Sequence, residues 1–409
     1  MTISPMVYRA QERTLALTQE WSVRVTACAT VALAPVEGYL LAVNPQLGKI
    51  PAILLVIAWG FARFTQRRWP TPHIVHILLA ALAVVVLASA AYHASDEFTI
   101  EYLVRWLPFL LVTGILVDVI SSEVDVRALL ASAIVGASAA AIGALYSVVV
   151  LGAARATGPL SDPNDLAFVL VGALPLTLAM ASRFSRAGRL GMAVVAALLV
   201  IGIASTFSRG GGFALIAALV WLISRKALNP KVLATASAVV AAAGLLIASV
   251  AWPILTRAFG EKEYIAQSNI DSRLLRWHAA SRMFAHNPLL GVGPGGFRRE
   301  YSVVSRLGEI AEPTPVAHNT YLEVAAELGV IGLVLFLGII ATAFVASEQS
   351  LRMGVDRPTV IAIQASLLAM LVAAMFLSEQ YYLSLWAVVA MACGLELRAR
   401  GRARCECCT

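Results

Sequence analysis

Three interruptions of an otherwise apolar chain carry residues suited to binding an anion, and the first is centred on Arg209. Three glycines follow it, at Gly210, Gly211 and Gly212. Glycine lets a ligand approach the backbone, and free N–H groups at the start of a helix together with a guanidinium favour a phosphate. The alternative is a tight turn between two antiparallel helices, with the arginine reaching to the membrane interface.

A second interruption contains Arg273 and Arg276. Around them Leu274, Trp277 and Phe284 recur at helical spacing. This pattern predicts an amphipathic helix at the membrane surface, with its arginines at the level of the lipid head groups. The alternative is an interfacial helix whose arginines bind lipid phosphates nonspecifically.

The third interruption begins at Arg155 and continues to Asp162, Pro163 and Asp165. Asp162 before Pro163 predicts a helix start, with the aspartate as N-cap and proline at the first helical position. Asp165 in that first turn suits the helix dipole. The two acids are therefore expected to be caps rather than metal ligands, and Arg155 is the residue here expected to bind substrate.

His318 precedes the next apolar run and is followed by Asn319, Tyr321 and Glu323. An imidazole of near-neutral pKa at the water boundary can take a proton from a hydroxyl. Asn319 can cap the helix, and it shares a helix face with Glu323, which can orient the histidine. A histidine at a helix start can equally be structural, so His318 alone does not decide its role.

Two further motifs are expected to bind no cofactor. The glycine-rich run 291–297 superficially resembles a dinucleotide-binding loop, but no strand precedes it, so it is predicted to be a turn that redirects the chain. Cys405, Cys407 and Cys408 crowd the last residues, but no histidine or second cysteine pair accompanies them at metal-ligand spacing. We therefore expect neither a metal nor another cofactor.

Membrane helices must position these residues. Of the 409 residues, 59% are hydrophobic and 13% charged, against about 45–50% and about 25% in soluble domains. A span needs about 20 mostly apolar residues. Twelve runs of this kind are predicted: 22–43, 48–65, 72–94, 100–120, 126–152, 164–182, 188–207, 210–224, 231–255, 318–346, 358–377 and 378–397.

The positive charges predict the orientation of these spans. The net charge of +7 comes mostly from arginines in short loops, a distribution typical of a positive-inside membrane protein and not of a nucleic-acid-binding one. It predicts that both termini are cytoplasmic. The chain then divides into helices one to nine over 1–255, a large periplasmic loop over 256–317, helices ten to twelve over 318–397, and a basic, Cys-rich cytoplasmic tail over 398–409.

Together these residues resemble the O-antigen ligase and polymerase superfamily of bacterial envelope enzymes. The resemblance rests on the order and spacing of several motifs: Arg155, Gly158 and Pro163-Asn164; Ser208-Arg209-Gly210; Arg273-x-x-x-Trp277; 287–293; His318-Asn319-x-Tyr321-Leu322; and Glu327-Leu328-Gly329 with Gly332. It implies an all-α polytopic membrane protein of the GT-C type, with about twelve transmembrane helices and a large periplasmic loop that contains short helices. Such enzymes transfer a glycan from undecaprenyl diphosphate to an acceptor hydroxyl without a metal or a nucleotide.

The resemblance also implies roles for particular residues. His318, Arg209 and Arg273 are the implied catalytic residues, with the arginines stabilising the charge of the diphosphate and the histidine acting as base. A single base without a protein nucleophile suggests one displacement with inversion. The residues expected to bind substrate are Arg155, Arg276, Gly210, Gly211, Asn319, Tyr321 and Glu323.

The favoured hypothesis is a ligase in the bacterial inner membrane whose active site faces the periplasm. Its partners would be an undecaprenyl-diphosphate-linked glycan, a lipid A-core acceptor and membrane lipids, but not nucleic acid. One alternative is an O-antigen or exopolysaccharide polymerase, whose acceptor is another lipid-linked glycan. The other is a membrane transporter, but transporters typically hold charges near the midplane in broken helices and contain repeats, and no repeat is visible here.

Overall fold

The computed structural model describes residues 5–228, 271–306, 308–309 and 314–406, and within these ranges the chain forms helices and no β-strand. The helices are α1 (Pro5–Leu33), α2 (Glu37–Val43), α3 (Ile50–Gln66), α4 (Ile74–Tyr92), α5 (Thr99–Ser122), α6 (Val126–Val149), α7 (Pro163–Ala181), α8 (Arg186–Ser205), α9 (Arg209–Ser224), α10 (271–286), α11 (Gly296–Val304), α12 (Thr320–Arg352), α13 (Arg357–Ala373) and α14 (Leu383–Glu406). Side-chain caps define many of the helix starts, as is common. The capping residues are His73, Asp125, Asp162, Ser185, Ser208, Asn319 and Asp356.

Eight helical stretches in the described part of the chain are long and apolar enough to cross a membrane, and α9 and α13 are shorter apolar helices. The chain is thus an all-helical polytopic membrane protein, as predicted. The predicted span 231–255 lies outside the described residues. The first predicted span is divided, because α1 and α2 are separated by a 3₁₀ turn at Ala34–Val36, where Pro35 cannot donate a helical hydrogen bond.

The last predicted span also differs from its prediction at both ends. α14 begins at Leu383 and not at 378, because the preceding residues form a separate segment bound to the start of α12. It also continues to Glu406, so the part of the predicted tail up to that residue is helical. Arg398 there donates a hydrogen bond of 2.9 Å to the carbonyl of Val124.

The loops meet in two groups, at opposite ends of the bundle. At one end, which we name the outer end, Ala156 N–H donates to the Ser205 carbonyl at 2.9 Å. Ser89 there donates to the Leu290 carbonyl at 3.0 Å. At the other, inner end, Arg357 donates to the Arg225 carbonyl at 2.7 Å. The long helices α4 to α9 and α12 to α14 therefore run in alternating directions, as expected of a chain that crosses a bilayer repeatedly.

The inner end is fastened by buried charges. Arg63 of α3 lies 2.6 Å from the Asp118 carboxylate of α5 and also pairs with Glu123. The indole N–H of Trp59 donates to the same Asp118 carboxylate at 2.8 Å. Hydrogen bonds from Trp59 and from the Thr71 N–H to the Asp118 carboxylate offset part of the cost of burying these charges.

Helix α7 lies at the centre of the bundle. The apolar part of α7 is 72% buried, whereas that of α8 is 17% buried. Helix α7 packs against α6, α8 and α13. A helix that is apolar on all sides is expected in the interior. The close packing of α7 with α13 therefore brings these two helices together in the interior of the bundle.

Candidate active site

The outer part of α12 is separated from the rest of that helix by a break at Gly329. Its φ of 66° and ψ of −167° are not helical, and this region is accessible essentially to glycine alone. A Cβ atom at Gly329 would lie 2.2 Å from the carbonyl oxygen of Leu289. A Cβ at Gly291 would lie 2.3 Å from the carbonyl carbon of Glu327. Two glycines thus allow two backbone segments to touch.

The segment 288–293, which follows α10, occupies this break and satisfies its free backbone groups. Three hydrogen bonds join the two segments: Val292 N–H to Ala326 C=O at 2.9 Å, Gly293 N–H to Glu327 C=O at 3.0 Å, and Val330 N–H to Pro288 C=O at 2.8 Å. Positive φ values at Gly291, Gly293 and Gly295 turn the chain here, so the predicted turn is confirmed. The break therefore couples α10 to α12.

His318 lies just before α12 in the left-handed conformation, with φ of 49°, and its side chain is half-buried. Such a conformation is uncommon for a residue other than glycine and costs about 1–3 kcal/mol. Asn319 caps the helix, as predicted, by accepting bonds of 3.1 Å from two backbone N–H groups. The Glu323 carboxylate accepts a bond of 2.8 Å from the N–H of Ala317. Glu323 therefore fixes the turn at His318 through the backbone of the preceding residue.

The segment 374–382, between α13 and α14, forms one wall beside His318. Thr320 is its anchor: the Thr320 N–H donates to the Ala374 carbonyl at 2.9 Å and its hydroxyl to the Leu377 carbonyl at 2.8 Å. Ser378 and Gln380 both donate to the buried carboxylate of Glu323. The sequence prediction missed this wall, although the polar run 378–380 before the last apolar stretch is a signal for it.

Arg273, on α10, lies among the other predicted arginines. Burial lowers the pKa of its guanidinium, and the neighbouring Asp162 raises it. Arg155, Arg276 and Arg209 lower the pKa of Arg273 further, in that order. Like charges have this effect only at short range, so the structure gathers all four arginines from three separate interruptions of the sequence.

Arg155 is held in a fixed position. Its Nε donates to the Thr206 carbonyl at 2.9 Å, and a terminal nitrogen donates to the Asn164 side chain at 3.3 Å. Asn164 in turn donates twice to Asp162, at 2.7 and 2.8 Å, which confirms Asp162 as the N-cap of α7. Burial lowers the pKa of Arg155, whereas Asp162 raises it. The cap is thus also the acidic partner of the arginines.

Arg209 is exposed at the first position of α9, but Gly210 and Gly211 are buried. A Cβ at Gly211 would lie 2.8 Å from the Cβ of Ala167 on α7, and one at Gly210 would lie 3.1 Å from the Cβ of Phe376. The two glycines therefore let α9 approach α7 and the segment 374–382. Helix packing explains them without the ligand-binding role predicted from the sequence.

Two other residues predicted to bind substrate make structural contacts. Arg276 is buried, and its Nε donates to Glu309 at 2.9 Å. Burial raises the pKa of Glu309, but hydrogen bonds from Arg276 and Tyr301 outweigh burial and lower it. The Tyr321 hydroxyl donates to the Leu371 carbonyl at 2.8 Å. Arg276 thus holds α10 near α11, and Tyr321 joins α12 to α13.

The arrangement combines a cluster of guanidinium groups with an imidazole on a fixed turn. Several arginines together can bind an anion with many oxygens, such as a diphosphate, through charge-assisted hydrogen bonds. An imidazole beside that anion can act as a general base. Within the described residues no group of His, Cys, Asp or Glu side chains is arranged to hold a metal ion.

Part of the chain is similar to known proteins. Residues 193–337 match the family model described as O-antigen ligase, a region that contains Arg209, Arg273 and His318. A protein of Rickettsia felis named "Putative polysaccharide ligase" is 33% identical over 98 residues, which are 23% of this chain and 24% of that protein. A second protein named as a polysaccharide ligase, from Rickettsia conorii, is 29% identical over 106 residues, which are 24% of this chain and 26% of that protein. The matched region thus spans about a quarter of these curated relatives.

Proposed function

We propose that this chain, which matches the O-antigen ligase family model over residues 193–337, is a membrane glycosyltransferase that moves a glycan from undecaprenyl diphosphate to a hydroxyl of lipid A-core. The observation that supports this most directly is that Arg155 and Arg209 lie near enough to Arg273 to lower its pKa, with Asp162 as the acidic neighbour of Arg155 and Arg273. Arginines stay charged even when partly buried. Their mutual repulsion is relieved when a multivalent anion binds between them.

The arginine cluster and His318 are connected through the segment 374–382. Gly210, next to Arg209, packs against Phe376, and the ring of Phe376 stacks on Phe213 with centroids 5.8 Å apart. The same segment is hydrogen-bonded to Thr320, two residues after His318. In our proposal the donor diphosphate binds at the arginines, and the acceptor hydroxyl approaches from the side of His318.

The proposed reaction is one displacement. The acceptor hydroxyl attacks the anomeric carbon while His318 takes its proton, and the bond from that carbon to the diphosphate oxygen breaks. Arg209 and Arg273 stabilise the charge that develops on the diphosphate; one such preorganised group contributes about 10²- to 10³-fold in rate. A positioned general base contributes about 10²- to 10⁴-fold. Inversion at the anomeric carbon follows from a single displacement.

In this proposal some of the remaining predicted residues contact the substrate, and others hold the backbone beside His318 in place. Arg155 contacts the diphosphate with Arg273, since both have Asp162 as a neighbour. Glu323 and Asn319 hold the turn and the helix start beside the base. We further propose that the outer end faces the periplasm and that the protein lies in the bacterial inner membrane, as the distribution of basic residues indicates. Both lipid-linked substrates would then meet at one height of the bilayer, which lowers the barrier by proximity.

The break in α12 is a feature also seen in transporters. Here the chain's own segment 288–293 occupies the break through three backbone hydrogen bonds. The carbonyls that would coordinate a transported ion are engaged instead. This occupancy favours the enzyme over the transporter.

Reconstitution tests the proposal. Purified protein is mixed with glycan-linked undecaprenyl diphosphate and either lipid A-core or a second lipid-linked glycan, and the products are separated by size. We expect transfer to lipid A-core, and we expect Arg209→Ala and Arg273→Ala to reduce it by about 10²- to 10³-fold, with Arg282→Ala on the same helix as the matched control. Transfer only to the lipid-linked glycan identifies a polymerase. No transfer to either acceptor would overturn the proposal.

A further inference from the structure

The segment 374–382 carries a carboxyl group that the proposed reaction does not use. Glu379 is 0% exposed, and within the described part of the chain neither of its carboxyl oxygens accepts a hydrogen bond from an N–H or O–H group. Its backbone N–H donates to the Thr320 hydroxyl at 2.8 Å. Burying an ionised carboxylate without hydrogen-bond donors costs free energy. The groups around Glu379 therefore determine whether its carboxyl group is protonated.

The neighbour that faces Glu379 is another carboxyl group. A hydrogen bond with Asp165, in the first turn of α7, is among the causes that raise the pKa of Glu379. The Tyr382 hydroxyl donates to one oxygen of Asp165 at 2.7 Å, and the Tyr382 ring meets Phe168 edge-on at 6.3 Å. Two neighbouring carboxyl groups in a buried place disfavour each other's ionised form, because water does not screen the repulsion between their charges. One proton between them satisfies both.

The surroundings of Glu379 favour this proton. Burial raises the pKa of Glu379 well above its usual value, and Asp165, Asp162 and Glu323 raise it further. The charged groups that face it are Asp165 and Asp162 from the start of α7 and Glu323 from α12, and the phenol that faces it is Tyr382 from its own segment. The three carboxyl groups disfavour the ionised form of Glu379. Burial and these neighbours together favour the protonated form of Glu379.

We propose that Glu379 is a positioning residue whose proton, shared with Asp165, joins the segment 374–382 to α7 and thereby keeps His318 in place. The path runs through contacts already described. Ser378 and Gln380, on either side of Glu379, bind Glu323, and Glu323 fixes the turn at His318. The kinetic part of this inference rests on the proposed glycan transfer, whereas the shared proton does not.

The sign of the pH dependence follows from the direction of the shift. A carboxyl whose pKa is raised in the folded protein stabilises that structure below its unfolded value, near 4.5. This stabilisation is lost as pH rises through the raised pKa. Loss of the proton leaves two buried carboxylates face to face and drives the segment 374–382 away from α7. Transfer activity should therefore have an alkaline limb that belongs to this pair.

Glu379→Gln separates positioning from simple packing, because glutamine keeps the shape and a donor but cannot ionise. The matched control is Glu97→Gln, an exposed glutamate at the outer end. Wild type and the control should lose about tenfold in rate for each pH unit above the apparent pKa of the alkaline limb. Glu379→Gln should keep its neutral-pH rate and lose that limb. An unchanged alkaline limb in Glu379→Gln overturns the positioning role.

Infrared spectroscopy of the protein without substrate tests the shared proton itself. The difference spectrum of wild type minus Glu379→Gln at neutral pH should contain a carboxylic-acid C=O band, which shifts in Asp165→Asn. No such band in wild type overturns the proposal. If the band is present but wild type transfers no glycan, the shared proton stands and the proposed function fails. Where Glu379→Gln does not fold, Asp165→Asn provides the same comparison.

Discussion

Replacement of Gly329 by alanine tests how the outer site is assembled. Glycine is required there because φ is 66° and ψ −167°, and imposing this conformation on alanine costs about 1–3 kcal/mol. The added Cβ would also lie 2.2 Å from the Leu289 carbonyl oxygen, so the segment 288–293 must move. Its three hydrogen bonds to α12 contribute about 0.5–1.5 kcal/mol each.

The total is about 3 kcal/mol or more, a large share of the roughly 5–15 kcal/mol by which proteins are stable. Because α10 leads directly into the displaced segment, Arg273 should move with it and transfer activity should be lost. The assay is thermal unfolding in detergent, combined with hydrogen exchange at the amides of Val292, Gly293 and Val330, which should lose protection.

The matched control is Gly60→Ala in α3, where an added Cβ meets nothing within 4 Å. Alanine is the better helix former there, by about 0.5–1 kcal/mol, so this variant should be as stable as wild type or more so. A Gly329→Ala protein with wild-type stability and wild-type protection of the three amides would refute the account of the break.

Three further predictions concern the supports of the site. Glu323→Ala leaves the hydrogen-bond donors of Ala317, Ser378 and Gln380 unsatisfied, at a cost of about 1–3 kcal/mol each. It should therefore reduce both the melting temperature and the turnover, whereas Glu323→Gln should retain part of both. Equal stability of wild type and Glu323→Ala would contradict the assigned contacts. Because the pKa of Glu309 is lowered in the folded protein, its pairing with Arg276 stabilises the fold above pH 4.5, and this stabilisation is lost as pH falls through the lowered pKa. The melting temperature should therefore fall at acid pH in wild type, and less steeply in Glu309→Gln. Arg155→Ala removes a charged donor worth about 1.5–3 kcal/mol, so affinity for a lipid diphosphate should fall about tenfold to a hundredfold; unchanged affinity would remove Arg155 from the donor site.

Most of the helices follow from apolar runs of sufficient length, because a chain in lipid must satisfy its backbone within helices. The breaks inside such runs are harder to predict. Pro35 gives a visible signal, but Gly329 sits in a continuous apolar stretch, and glycine is common in membrane helices. Its conformation depends on the segment 288–293, which approaches only in the folded protein.

The same limit applies to the site. The arginines could be found from the sequence because a charge in an apolar chain stands out. The structure places Arg155, Arg209 and Arg276 near Arg273, and their role in binding stays a prediction. Gly210 and Gly211 were harder to interpret, because a glycine allows the close approach of a ligand and the close approach of a neighbouring helix equally well. Ala167 and Phe376, which decide between the two, are distant in the chain. The sequence analysis did not select Glu379, because the polar residues 378–380 were included in the last predicted span, 378–397.

The central claim is that His318 performs chemistry on a donor bound by the arginines. The most direct measurement compares wild type with His318→Ala, using purified protein and glycan-linked undecaprenyl diphosphate, with donor binding and the rate of transfer measured separately. We predict that donor affinity stays unchanged while the rate of transfer falls by about 10²- to 10⁴-fold. Transfer at the full rate by His318→Ala would contradict the account.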